Sequence, residues 1–103
     1  MGKNSAVRTL GRRIGNVVLH MLLSRYTNRP ESISHLEREE ATYRDSAIKD
    51  AKQYHWNDED RKALQQEALA FIEQKAITKY SDVKIPLDEA KALIEAEIKD
   101  LGI

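Results

Sequence analysis

The stretch VRTLGRRIGNVVLHMLL, residues 7–23, decides the fold. Its apolar residues recur at steps of three and four, the spacing that places side chains along one face of a helix. The residues of this stripe are Val7, Leu10, Ile14, Val17, Val18, Met21 and Leu22. Leu19 and Leu23 widen the stripe, so the second half of the helix is apolar nearly all round and is expected to be central. We predict a helix over residues 5–26.

Three further amphipathic segments follow this helix. The spacing of their apolar residues predicts three more helices, over about 32–54, 58–79 and 87–101. Amphipathic helices with short connections are typical of helical bundles. The sequence therefore predicts a single all-α domain over residues 1–103, either a small four-helix bundle or an orthogonal helical array.

Two prolines and one cap residue mark where the predicted helices begin. Pro30 and Pro86 stand where a helix begins, at positions that do not need an amide hydrogen. Asn57 is a predicted N-cap, and the three acidic residues after it complement the helix dipole. Only residues 80–85 suggest a short extended segment.

The composition excludes several classes of protein. The chain contains no cysteine, which excludes disulfide-stapled mini-domains, thiolate metal sites and thiol catalysis. The longest apolar run, residues 14–23, is interrupted by Asn16 and His20, whereas a membrane-spanning helix needs about 20 apolar residues. We therefore expect no membrane span and a cytoplasmic protein.

The charges are distributed unevenly along the chain. Residues 1–30 contain six basic and no acidic residues, whereas residues 31–103 contain eleven basic and seventeen acidic ones. One interpretation is that the first helix contacts phosphates of a nucleic acid or an acidic protein surface. The candidate contact residues are Lys3, Arg8, Arg12 and Arg13. The alternative is that these cations pair with acidic helices of the same chain or of a second copy.

The histidines and carboxylates of the sequence form no recognisable catalytic or metal-binding motif. His35 and Glu39 stand four residues apart, a spacing that can bind a metal, but no further ligands can be named. His20 is expected to be exposed on the polar side of the first helix. Glu40 and Glu97 interrupt apolar stripes and are expected to reach solvent or an arginine of the first helix. We predict no catalytic residue, metal or cofactor, and a protein that is not an enzyme.

Two pairs of small residues are spaced one helical turn apart. Gly11 and Gly15 form one pair, and Ala47 and Ala51 form the other. Such spacing lets another backbone approach closely, although the glycines are equally compatible with a weak or kinked helix. Our hypothesis is a non-enzymatic helical module that binds a protein partner or assembles with itself as a homo-oligomer. The alternative is a nucleic-acid-binding protein that uses the basic N-terminal helix.

Overall fold

The computed structural model describes residues 3–27 and 29–103, and of Lys3 the backbone alone. Within these residues there are four α-helices, a short 3-10 helix at Pro30–Ser32, and no strand. The α-helices are α1 Lys3–Tyr26, α2 Ile33–Ala51, α3 Asp58–Thr78 and α4 Leu87–Asp100. The predicted all-α fold with four helices is confirmed.

The first helix, α1, forms the long axis of the bundle. Its 24 residues span about 36 Å at the rise of an α-helix, which is close to the 39 Å length of the whole molecule. α1 packs against each of the other three α-helices. α2 returns beside it in the opposite direction, because Arg13 meets Asp50 near the end of α2 while His20 meets Glu39 nearer its beginning. The sequence prediction that α1 is central is therefore correct.

The other two helices complete an aligned bundle. α3 runs parallel to α1, because Gly11 approaches Glu67 and Gly15 approaches Phe71. α4 begins beside the end of α1, where Arg25 pairs with Glu89, and it packs on α3 as well as on α1. Of the two predicted architectures, the contacts favour the bundle, since α1 meets α2 and α3 over several successive turns.

The core consists mainly of aliphatic side chains from all four helices. In α1 the buried residues include every member of the predicted stripe except Met21, which is partly buried. The other helices contribute Ala47, Ala51, Leu64, Ala68, Ile72, Ala90, Ile94 and Ile98. Among the described residues, no helix has the length and apolar character needed to cross a membrane.

The connections differ from the sequence prediction in two places. α2 ends at Ala51 rather than at residue 54, because the Trp56 indole N–H donates to the Ala51 carbonyl oxygen at 2.8 Å and the ring is buried. Residues 80–83 form a turn, with the Val83 amide donating to the Tyr80 carbonyl oxygen, and residues 84–85 belong to no strand, so the predicted extended segment does not occur as such. In both connections the chain turns where an aromatic or apolar side chain packs against the core.

The predicted cap of the third helix is confirmed. The Asn57 side-chain oxygen accepts from the Asp60 amide at 2.8 Å, and the Asp60 carboxylate accepts from the Asn57 amide at 3.0 Å. This capping box satisfies two amides and fixes where α3 begins.

Candidate functional site

The predicted contact residues of α1 differ in their surroundings. Arg8 and Arg12 are exposed, and neither forms an ion pair with any carboxylate in the described parts of the chain. Arg13 forms an ion pair with Asp50, with Nε 2.6 Å from the carboxylate oxygen. The side chain of Lys3 lies outside the described residues. Pairing within the chain therefore applies to Arg13, whereas Arg8 and Arg12 face solvent.

The small-residue pairs lie inside the bundle. A Cβ atom on Gly11 would stand 2.5 Å from the Glu67 Cβ, and one on Gly15 would stand 3.0 Å from the Ala68 carbonyl oxygen. Ala47 and Ala51 are buried in the core. The glycines thus allow α1 and α3 to approach each other closely. None of these four residues faces outward toward a second copy of the chain.

His20 is buried, which contradicts the expectation that it is exposed. Its Nδ1 lies 2.7 Å from the Asn16 carbonyl oxygen, and its Nε2 lies 2.7 Å from Glu39 Oε2. The other Glu39 oxygen is 2.7 Å from Nε2 of His35. Because a carbonyl oxygen can only accept, Nδ1 is the donor in its contact with Asn16. The helix pattern missed this contact because the partner comes from α2.

An open groove runs between α1 and α3. Its wider part, about 460 Å³, is lined from α1 by Arg12 and Asn16, and from α3 by Glu67, Ala70, Phe71, Gln74 and Lys75. A smaller cavity of about 210 Å³ is adjacent to it, because Asn16, Phe71 and Lys75 line both. We call the wider part the α1–α3 groove and the smaller cavity the His20 pocket.

The His20 pocket lies where three helices and a turn meet. Its remaining lining consists of Leu19, His20, Glu39, Tyr43, Lys79 and Tyr80. The Lys75 ammonium lies 5.6 Å from the centre of the Phe71 ring, and the Lys79 ammonium lies 5.5 Å from that of Tyr80. Neither lysine pairs with a carboxylate within the described residues. A cation–π contact of this kind holds an ammonium group in position but leaves its positive charge without a counter-ion.

A second cluster of charges lies between α2 and α4. Arg44 donates from Nε to Glu97 at 2.8 Å and from Nη1 to Glu40 at 3.1 Å. Hydrogen bonding to the buried Glu97 raises the pKa of Arg44, although burial of the guanidinium acts in the opposite direction. For Glu97 the expectation that it reaches solvent or an arginine of the first helix is wrong, because it is buried and its partner comes from α2. Glu40 is partly exposed, and its partner also comes from α2. Arg44 thus joins α2 to α4 through Glu97.

Exposed charges join the ends of α1 and α4. The hydroxyl of Tyr26 and the guanidinium of Arg25 both donate to the Glu89 carboxylate. The Tyr26 hydrogen bond and, to a smaller extent, Arg25 hold the pKa of Glu89 below its ordinary value. The ionised carboxylate therefore favours the folded state above the ordinary pKa, and this contribution is lost as pH falls through the lowered pKa.

We expect the substitution Tyr26→Phe to raise the pKa of Glu89 toward its ordinary value, because the largest contribution to the shift is removed. Carbon-detected NMR titration of the glutamate side chains measures this directly. Glu31 is an exposed glutamate on the short 3-10 helix and serves as the internal control. A Glu89 midpoint that does not move in the variant would contradict the assignment.

No group of three or more His, Cys, Asp or Glu side chains that could hold a metal ion occurs among residues 3–27 and 29–103. The predicted candidates His35 and Glu39 contact each other, and Glu39 also contacts His20. Comparison with protein families, curated proteins and solved structures finds no match to this chain. The described residues form a small all-α bundle in which a groove of mixed charge lies between α1 and α3.

Proposed function

We propose that this chain is a non-enzymatic protein-interaction module whose α1–α3 groove and His20 pocket bind an acidic segment of a protein partner. The observation that carries the proposal is the convergence of Arg12 from α1, Lys75 from α3 and Lys79 just after α3, which line two adjacent cavities. None of the three is paired with a carboxylate in the part of the chain described here. A cytoplasmic location is part of the same proposal.

The other residues of the groove favour a polypeptide as the ligand. Phe71 and Ala70 present apolar surface between the cations, while Glu67 adds a negative charge. A peptide can place apolar side chains and a few carboxylates at matching points, whereas a uniformly charged phosphate backbone would meet Glu67 unfavourably. The formal net charge of zero supports the same choice.

Binding of a different protein is better supported than self-association. The small residues that suggested pairing between copies are occupied by contacts within the bundle. The opposed charges of the two chain regions also meet within one molecule, as the pairs Arg13–Asp50 and Arg25–Glu89 illustrate. Light scattering across micromolar concentrations tests this, and we expect the mass of a monomer.

Charge reversal in the groove tests the proposal. We expect labelled peptides that alternate glutamate with leucine or phenylalanine to bind the parent chain. The double substitution Arg12→Glu with Lys75→Glu should weaken binding roughly 10- to 100-fold, because each reversal replaces an attraction with a repulsion of about 1 kcal/mol. Fluorescence anisotropy measures the affinity.

The matched control reverses two exposed lysines away from the groove, Lys49→Glu with Lys99→Glu, which changes the net charge equally. This control should bind as the parent does, and peptides with glutamine in place of glutamate should not bind. Equal binding by the groove variant and the control variant would mean that the groove is not the contact surface.

A second candidate function is nucleic-acid binding by α1. The observation that favours it is the exposure of Arg8 and Arg12, four residues apart on one helix and without a carboxylate partner in the described chain. Duplex DNA, single-stranded DNA and structured RNA at low and physiological salt test it. Tight, steeply salt-dependent binding that Arg8→Glu with Arg12→Glu abolishes would support this function over peptide binding.

A further inference from the structure

We propose that the His20 pocket is a binding site for a phosphate group, either inorganic phosphate or the phosphate of a phosphorylated side chain. The inference goes beyond the docking of an acidic segment, because it assigns one chemical group to one cavity. It does not require that the neighbouring α1–α3 groove bind a peptide.

The polar lining of the pocket consists largely of hydrogen-bond donors. Lys75, Lys79, Tyr43 and Tyr80, which carry two ammonium groups and two hydroxyls, all line the cavity. None of these groups has a hydrogen-bond or ion-pair partner within residues 3–27 and 29–103. Two ammonium groups and two hydroxyls match a dianion with several acceptor oxygens, which describes a phosphate monoester.

The carboxylate that lines the pocket is already engaged. Glu39 Oε2 lies 2.7 Å from His20 Nε2, and Glu39 Oε1 lies 2.7 Å from His35 Nε2. Each carboxylate oxygen therefore has its close polar contact with an imidazole rather than with one of the two lysines. Glu39 therefore leaves both ammonium groups available to an incoming anion.

The end of α3 also lies at this pocket, and a helix C-terminus by itself disfavours an anion. The local geometry reduces that effect, because the Lys75 carbonyl oxygen accepts from the amides of both Lys79 and Tyr80 at 2.9 Å. The two lysine side chains extend from this last turn and carry full charges, which outweigh the partial charge of the helix end.

The size of the pocket favours a compact group. Sites for drug-sized ligands range from about 300 to 1,000 Å³, whereas this cavity measures about 210 Å³. It adjoins the α1–α3 groove, because Asn16, Phe71 and Lys75 line both. A phosphate carried on a side chain could therefore enter the pocket while the rest of its chain lies in the groove.

Titration with inorganic phosphate, followed by NMR of the full chain at constant ionic strength, tests the proposal. We expect saturable shifts confined to residues around the pocket, with a dissociation constant on the order of 1 mM. The variant Lys75→Gln with Lys79→Gln should bind at least about tenfold more weakly, since it loses both charges. The control Lys49→Gln with Lys52→Gln removes two exposed lysines elsewhere and should bind as the parent does.

A second pair of probes separates the two sources of the phosphate. A phosphoserine peptide that binds at least about tenfold more tightly than inorganic phosphate, while its serine form does not, would support a phosphorylated protein. Equal affinities would support the free anion. Phosphate shifts that match those of chloride, or a lysine double variant that binds as tightly as the parent, would overturn the proposal. Since inorganic phosphate needs no peptide, failure here is distinguishable from failure of groove docking.

Discussion

We expect Arg44→Ala to lower the free energy of unfolding by about 3 kcal/mol, because it leaves the Glu97 carboxylate buried without its partner. The Glu97 side chain is 6% exposed and takes its hydrogen bonds from Nε and Nη2 of Arg44. The Arg44 side chain is 36% exposed, which places the effect at the lower end for a broken buried ion pair. Urea denaturation followed by circular dichroism measures the change.

The double substitution Arg44→Met with Glu97→Leu tests whether the unpaired charge of Glu97 causes this loss. Replacing both partners with apolar side chains of similar size removes the uncompensated charge, and such replacements are often neutral or stabilising. We therefore expect the double variant to recover most of the stability that Arg44→Ala loses. If the double variant were as unstable as Arg44→Ala, the unpaired charge of Glu97 would not explain the loss.

We expect Gly11→Leu to lower the free energy of unfolding by about 3 kcal/mol, because overpacking of this size forces helices apart. A Cβ at Gly11 would stand 2.5 Å from the Glu67 Cβ and 3.4 Å from the Leu64 carbonyl oxygen. The first atom is attached directly to the α3 backbone, so the helices must separate to admit it. Gly11→Ala should lose about 1–2 kcal/mol despite gaining about 1 kcal/mol of helix propensity.

Two controls test whether the close approach of α1 and α3 causes this loss of stability. Thr9→Leu places the same side chain on an exposed position of α1 and should be nearly neutral. In a Gly11→Ala background, Glu67→Gly should restore stability in part because it removes the opposing Cβ, whereas Glu67→Ala retains that atom and should not. Thermal unfolding of the four variants measures this. Rescue by Glu67→Ala would contradict the steric explanation.

Local periodicity predicted the fold but not every buried position. The stripe of α1 and the Asn57 cap follow from spacing and cap chemistry within single helices, and both occur as predicted. His20 was expected to be exposed because its neighbours along the helix are polar. It is buried because α2 brings Glu39 against that side of α1. A single helix pattern contains no information about which sides its partners cover.

The candidate site illustrates the same limit. The sequence selected Arg8, Arg12 and Arg13 because they lie close together in an acid-free segment. The structure instead brings Arg12 beside Lys75, more than sixty residues away, because α3 runs parallel to α1 in close contact. Residue spacing alone does not determine which helices become neighbours or in which direction they run.

The central position of α1 has a consequence for the nascent chain. α1 contains the most apolar surface, yet it leaves the ribosome before the three helices that cover it. Until α2 and α3 have followed, Leu10, Ile14 and Leu22 have no intramolecular partner, and such surfaces attract chaperones or other unfinished chains. Translation speed through α2 and α3 should therefore influence how much of this protein reaches its native state.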